Sequence, residues 1–280
     1  MKKWHSGIFK VLLLVSLVIL AGCGGDDAVT SGDQVMDDAV ETGTLAITAN
    51  GEEFSREGFL SKDGWELTFD QIYATMGNIV AYQSDPPYDT DQGWDIGYKT
   101  MVELAGSYTV NLADPQSNPI FLDQLHDVPA GHYNALSWDM LRAVEGPSAG
   151  HCLLLVGQAE KEGVIIDFSL GIEQEVAYMG GDYIGDERKG VLLPGGTADL
   201  EMTFHFDHLF GVGEEDAADS LNLEAFGFEP LAVLAVDGIL ETDLTALQVV
   251  LNDDDYALLI SIMTHLAHVG EGHCLAQFIQ

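Results

Sequence analysis

Hydrophobic and polar residues alternate along most of the chain after its first forty residues, in the pattern of half-buried β-strands. Successive side chains of a strand point to opposite faces, so one apolar face implies one buried side. The cleanest run places five apolar residues on one side and mostly polar residues, among them His205, on the other. Its apolar set is Ala198, Leu200, Met202, Phe204 and Phe206. Residues 153–156 and 164–170 form a second pattern, which predicts a hairpin.

The pattern changes to helical spacing near the C-terminus, over residues 229–270. Asn252 precedes Asp253-Asp254-Asp255, and Asn is a good N-cap for a helix whose first-turn carboxylates complement the helix dipole. Apolar residues then follow helical spacing as far as Gly270, which should end the helix. The sequence therefore predicts a mainly β fold. We expect a single antiparallel β-sandwich-like domain over residues 44–280, with its helical portion at the C-terminus.

The N-terminus has the composition of a targeting signal. Lys2 and Lys3 precede an apolar run over residues 11–21 that is short for a membrane span. The run ends at Leu20-Ala21-Gly22-Cys23, which resembles the lipobox of bacterial lipoproteins. The resemblance implies that residues 1–22 are a signal peptide and that Cys23 becomes lipid-modified. The alternative is a plain secretory signal with an incidental cysteine.

Residues 23–43 are small, polar and acidic, which predicts a flexible tether between the lipid and the folded domain. Gly24 follows the cysteine, whereas the enterobacterial signal for inner-membrane retention is Asp at that place. The sequence therefore predicts an outer-membrane lipoprotein of the bacterial cell envelope, facing the periplasm or the cell surface.

The charge balance restricts the partners. The chain has 46 acidic and 10 basic residues, a formal net charge of −36. Such a surface repels nucleic acid and anionic membrane surfaces and favours cations as ligands. We therefore expect no nucleic-acid partner, and membrane attachment only through the lipid on Cys23.

Two cysteines remain after Cys23, and they are Cys152 and Cys274. In an oxidising compartment outside the cytosol, two remaining cysteines most simply form a disulfide. The alternative is that both are thiolate ligands of a metal ion.

Histidines cluster near these cysteines and at one strand end. A Cys152–Cys274 bridge would bring His151 and His273 together, since each directly precedes its cysteine. Helical spacing would place His265 and His268 on neighbouring turns. Imidazoles with a carboxylate suit copper or zinc. The predicted metal ligands are His151, His205, Asp207, His208, His265, His268 and His273.

Three short motifs resemble those of an uncharacterised family of secreted bacterial lipoproteins. They are Asp63-Gly64-Trp65, the run Thr203-Phe204-His205-Phe206-Asp207-His208, close to Thr-x-His-x-Asp-His, and the C-terminal Gly272-His273-Cys274. The resemblance implies an exported, β-rich lipoprotein and directs attention to these histidines.

The function expected from the sequence is that of a lipid-anchored envelope protein, non-enzymatic, that binds copper or zinc through clustered histidines. The chain has neither a phosphate-binding glycine loop nor a Cys-x-x-Cys-His haem attachment motif. The alternative is a structural or interaction module of β-sandwich type that binds a protein or glycan and no metal. In that case the histidines would be surface or hydrogen-bonded core residues.

Overall fold

The structure is a computed structural model that describes residues 40–181, 183 and 188–280. The predicted signal peptide, Cys23 and most of the tether lie outside these residues. Val40–Gln280 form one compact unit. None of the helices among the described residues is long and apolar enough to cross a membrane.

The described chain is mainly β. The strands are β1 (Thr42–Asn50), β2 (Phe59–Leu60), β3 (Glu66–Ser84), β4 (Tyr98–Asn111), β5 (Ile120–Pro129), β6 (Gly131–His132), β7 (Ala135–Met140), β8 (Leu153–Lys161), β9 (Val164–Ile172), β10 (Val176–Gly181), β11 (Val191–Leu192), β12 (Thr197–Phe204), β13 (Ile239–Asp243), β14 (Ala267–Val269), β15 (Gly272–His273) and β16 (Leu275–Phe278). The helices are α1 (Glu52–Glu57), α2 (Asp207–Phe210), α3 (Ser220–Glu224), α4 (Glu229–Ala232), α5 (Leu244–Val250) and α6 (Asp253–Ile262), with a 3₁₀ turn at Thr90–Gln92.

Two large sheets make up the fold. One has the strand order β15-β14-β12-β1-β5, and the other has the order β13-β9-β8-β3-β7-β10-β16, with β2 and β4 also paired to β3. The short strands β6 and β11 pair separately. Most pairs are antiparallel, but β1 pairs β12 in parallel and β9 pairs β13 in parallel. The predicted mainly β, sandwich-like class is confirmed, and the sheets are mixed in direction rather than wholly antiparallel.

The strand that the sequence marks most clearly is β12. Its four apolar residues, Ala198, Leu200, Met202 and Phe204, are all buried, and so is Phe206 just beyond the end of the strand. They join side chains from both large sheets in one hydrophobic core. Phe69, for example, lies in β3 of one sheet, and Phe206 follows the end of β12 in the other. Their ring centres lie 6.4 Å apart. The alternation therefore determines which face of β12 is buried. The alternating polar positions lie on the opposite face, and His205 continues their series.

The predicted hairpin is present as β8 and β9, which pair from Leu153 and Ile172 to Lys161 and Val164. Two residues with positive φ connect them, Glu162 at 53° and Gly163 at 84°. Positive φ at both central residues is what a tight turn between right-handed twisted strands requires.

The last helix begins as predicted and ends earlier than predicted. The Asn252 side chain accepts a hydrogen bond from the backbone N–H of Asp255, so it caps α6. The helix ends at Ile262, not at Gly270, and residues 267–269 form strand β14. The predicted placement of His265 and His268 on neighbouring helical turns is therefore wrong. Residues 267 and 268 pair with the end of β12, and this pairing satisfies their backbone hydrogen-bonding groups. The tertiary interaction outweighs the helical preference of the local sequence.

The predicted Cys152–Cys274 disulfide is absent, and both cysteines are free thiols. Cys152 directly precedes β8, while Cys274 directly precedes β16. Strands β3, β7 and β10 lie between those two strands in the sheet. Four strand spacings of about 4.8 Å separate them along the sheet, whereas the Cα atoms of a disulfide lie within about 7 Å of each other.

Candidate metal centre

Four histidines come together at the end of β12, although they belong to two distant parts of the chain. His205 and His208 follow β12, His268 lies in β14 and His273 lies in β15. Two backbone pairings bring them together: Thr203 pairs with His268, and His268 pairs with His273. The His205 backbone N–H also donates to the carbonyl of Leu266.

Local structure turns His205 and His208 to the same side. Uninterrupted strand alternation would send residues 205 and 208 to opposite faces, but β12 ends at Phe204. The chain then turns into α2, and the backbone N–H of His208 donates to the carbonyl of His205. In such a helical turn, residues three apart are neighbours.

The second pair is produced by a tight hairpin. His268 and His273 are directly opposite across β14 and β15, a position in which side chains of the same face meet. The chain between these strands reverses at Gly270-Glu271, and Gly270 has φ 57°. A glycine adopts this left-handed conformation without the strain of a Cβ atom.

The four rings pack against one another. Their centres lie 4.1 Å apart for His205 and His268, and 4.4 Å apart for His268 and His273. The His208 ring lies 5.8 Å from that of His205, 5.1 Å from that of His268 and 5.8 Å from that of His273.

These separations lie near those of imidazoles that share one metal ion. A bond of about 2.0–2.1 Å places the centre of a coordinated ring about 3.2 Å from the ion, so two rings at about 90–110° have centres about 4.5–5.2 Å apart. The measured values of 4.1 to 5.8 Å bracket that range. Ligand atoms of His205, Asp207 and His208 already lie within 4.8 Å of one another. The rings of His268 and His273 pack against this group without belonging to it.

The buried ring nitrogens in this cluster lack partners. His268 is only 4% exposed, and neither of its two ring nitrogens has a hydrogen-bond partner; the same holds for Nε2 of His205. A neutral imidazole always carries one N–H donor and one acceptor. Leaving both unsatisfied in the interior costs free energy, about 1–3 kcal/mol for each group. A metal ion would satisfy nitrogens that the described protein atoms do not.

Burial favours the neutral form of His208 and His268, which is the form that can bind a cation. Burial, together with the neighbouring rings of His205, His273 and His208, lowers the pKa of His268 to about 3. Burial also lowers the pKa of His208, against an opposing effect of Asp207. Metals bind the deprotonated nitrogen, so these rings present their ligand form at neutral pH.

A carboxylate that the sequence analysis missed lies beside the cluster. Glu52 Oε2 is 3.4 Å from His205 Nδ1, and Glu52 has the positive φ of 60°, which is uncommon outside glycine. Burial raises the pKa of Glu52, and the proximity of His205 lowers it in part. Glu52 is about 150 residues from His205 in the chain and has no motif around it. Only the parallel pairing of β1 with β12 places the start of α1 at this site.

His265 and His151 have different outcomes. His265 is exposed and lines the same pocket as the four clustered rings, from the turn after α6. His151 does not join them, so its predicted place in the shared site is wrong. It lies instead with Glu173 and Asp243, whose ligand atoms are within 4.8 Å of its own. The expected route to the shared site was the disulfide, and that bridge is absent.

The two cysteines are poorly suited to the thiolate alternative. Burial raises the pKa of the Cys152 thiol to about 12 and that of Cys274 well above its usual range. Thiols of this kind stay protonated at neutral pH, whereas metal coordination requires the thiolate. The Cys274 sulfur lies against Gly180.

Residues 146–150 have the Gly-x-Ser-x-Gly spacing of hydrolase nucleophiles. In that motif the serine is exposed on a sharp turn from a strand into a helix. Ser148 is instead completely buried, it lies in a turn before β8, and its hydroxyl has no hydrogen-bond partner among the described residues. A buried hydroxyl without a base in contact is not an activated nucleophile.

Comparison with known proteins adds no assignment. No family of known proteins, no curated protein and no solved structure matches this chain. Function must therefore be inferred from the site itself. That site contains histidine and acidic groups that could hold a metal ion.

Proposed function

We propose that this protein binds a transition-metal ion, copper or zinc, through His205, His208, His268 and His273. The observation that carries the proposal is the packing of four imidazoles around buried nitrogens that have no hydrogen-bond partner. Imidazole is a ligand that both metals prefer. Asp207 and Glu52 supply negative charge beside the rings, and the acidic surface attracts cations.

The test is metal binding by the full mature chain, purified without a histidine tag. We expect one ion of copper or zinc per chain by elemental analysis. Replacing His208 and His273 by Gln should weaken binding by more than about 100-fold, because changes in the second shell alone cost 10–100-fold. The matched control replaces His126 and His132 by Gln, since His132 is exposed in β6 and His126 lies in β5.

Unchanged affinity in the His208/His273 variant would contradict the proposal. Absence of bound metal in the wild type, under conditions in which the chain is folded, would also contradict it and would favour the interaction module. Calorimetry separates these results, because it measures affinity and stoichiometry together.

We also propose that the chain is anchored to the bacterial envelope by lipid on Cys23. The support comes from the charged start, the short apolar run and the Leu20-Ala21-Gly22-Cys23 motif. The lipid would compensate for a charge that repels anionic membrane surfaces. In bacteria fed labelled palmitate, the wild type should incorporate label and Cys23→Ser should not. Equal labelling of both proteins would end this proposal, as would a mature N-terminus at another residue.

A further inference from the structure

The clustered rings open onto a pocket, which a purely structural metal site would not need. The cavity has a volume of about 320 Å³, at the lower end of the range for small-molecule sites. His205, His208, His268 and His273 all contribute to its wall. A structural zinc site is a closed tetrahedron of four protein ligands, whereas a tetragonal Cu(II) ion with four nitrogen ligands keeps axial positions open.

The rest of the wall consists of a fifth histidine, His265, and of acidic or uncharged side chains. Glu224 at the end of α3 and Glu271 in the β14–β15 turn both line the pocket and are both exposed at its mouth. Ser220, Leu221 and Ile262 complete the wall beside them. Among the described residues that form this lining, there is neither lysine nor arginine. An anion that enters the pocket therefore meets carboxylates and no fixed positive side chain.

We infer that the metal bound here keeps a coordination position open to this pocket, and that the position takes a small neutral nitrogen donor in preference to an anion. This inference rests on the proposed metal site. The four imidazoles are neutral ligands, so the ion keeps its positive charge and attracts a further donor. The acidic wall and the net charge of −36 oppose an anionic donor. An amine or imidazole group of a small molecule, of amino-acid size, fits both the volume and the charge.

The fully buried nitrogens of His268 support the geometry independently of the acidic wall. His268 is 4% exposed, lines the pocket and has no hydrogen-bond partner for either ring nitrogen. An ion bound to such a ring lies at the inner end of the pocket. Any coordination position that the protein leaves free would then face the pocket.

The experiment uses the full mature chain loaded with Cu(II), whose visible absorption reports on its ligands. Imidazole and azide are added separately at pH 8 and at constant ionic strength. We expect imidazole to shift the absorption band, and azide to bind about tenfold more weakly than imidazole because of charge repulsion. The variant Glu224→Gln/Glu271→Gln should bind azide several-fold more tightly and imidazole within about twofold of the wild type.

The control is Glu103→Gln/Glu160→Gln, which makes the same change in net charge on exposed residues of β4 and β8. It should leave both affinities unchanged. A copper-loaded protein that shifts with neither probe has a closed coordination shell, and this overturns the inference while the proposed metal binding stands. Azide binding as tight as imidazole binding overturns the selectivity. Failure to load copper or zinc at all refutes the proposed function instead.

Discussion

Acid should destabilise the metal-free protein through its buried histidines, and above all through His268. Its pKa in the folded state falls to about 3, first because burial disfavours the charged ring and then because three other imidazoles surround it. In the unfolded chain the pKa of histidine is about 6.5. The folded state therefore binds this proton less tightly than the unfolded state.

This difference in pKa sets the direction and the size of the change in the free energy of unfolding with pH. A depressed pKa of a histidine gives a stability contribution that is fully present above about pH 6.5 and is lost as the pH falls from there towards about 3. At pH 5 the unfolded ring is mostly protonated and the folded ring is neutral. Relative to pH 8, the free energy of unfolding should therefore fall by about 2 kcal/mol from His268 alone.

The assay is urea unfolding followed by tryptophan fluorescence at pH 8 and pH 5, with a chelator present to keep the protein metal-free. The comparison is with His268→Leu, which removes the titrating group and keeps an apolar side chain in the core. Other groups, such as the many carboxylates, also respond to pH, so the informative quantity is the difference between wild type and variant. The wild type should lose about 2 kcal/mol more than the variant.

The control His132→Leu changes an exposed histidine of β6 and should lose as much stability as the wild type. If the His268→Leu variant loses as much stability as the wild type between pH 8 and pH 5, His268 is not kept neutral by burial. The packing of the four rings described above would then be incorrect for the metal-free protein.

Two further predictions concern the rest of the fold. Asp63→Ala should lower the free energy of unfolding by about 1–3 kcal/mol, because Asp63 Oδ2 accepts hydrogen bonds from the backbone N–H groups of Phe228 and Glu229 at 2.8 and 2.6 Å. Asp63→Asn keeps an acceptor and should lose less stability. Equal losses of the two variants in urea unfolding would contradict this role. Alkylation of a Cys23→Ser chain in urea without reductant should add two groups by mass spectrometry, because Cys152 and Cys274 are free, and a chain that takes up none contains the disulfide.

The sequence alone determined the class of the fold and the faces of its clearest elements. Alternation in β12 identified its buried residues because a strand has a period of two and a half-buried strand must separate apolar from polar positions. Asn252 identified the start of α6 because its side chain caps a backbone N–H only a few residues away. The β8–β9 hairpin was predictable for the same reason, since its signals lie within one short stretch.

The sequence also identified the residue types of the candidate site, because imidazoles in small clusters are unusual enough to notice. It could not identify their geometry. The helical spacing after Asn252 predicted that His265 and His268 share a helix face, but pairing with β12 ends the helix early and makes His268 a strand residue. Local preferences amount to tenths of a kcal/mol per residue, and the burial and backbone pairing of a tertiary contact exceed them.

The tertiary structure alone decided which groups meet. Glu52 reaches His205 through the parallel pairing of β1 and β12, a contact between segments about 150 residues apart that no local pattern specifies. His151 and the two cysteines show the converse. Two cysteines in an oxidising compartment are expected to form a disulfide, but in this fold they lie too far apart to do so. Strands β3, β7 and β10 separate the two thiols. Spacing along the chain cannot show how many strands of a sheet lie between two residues, because strand order is set by long-range packing of both sheets into one core.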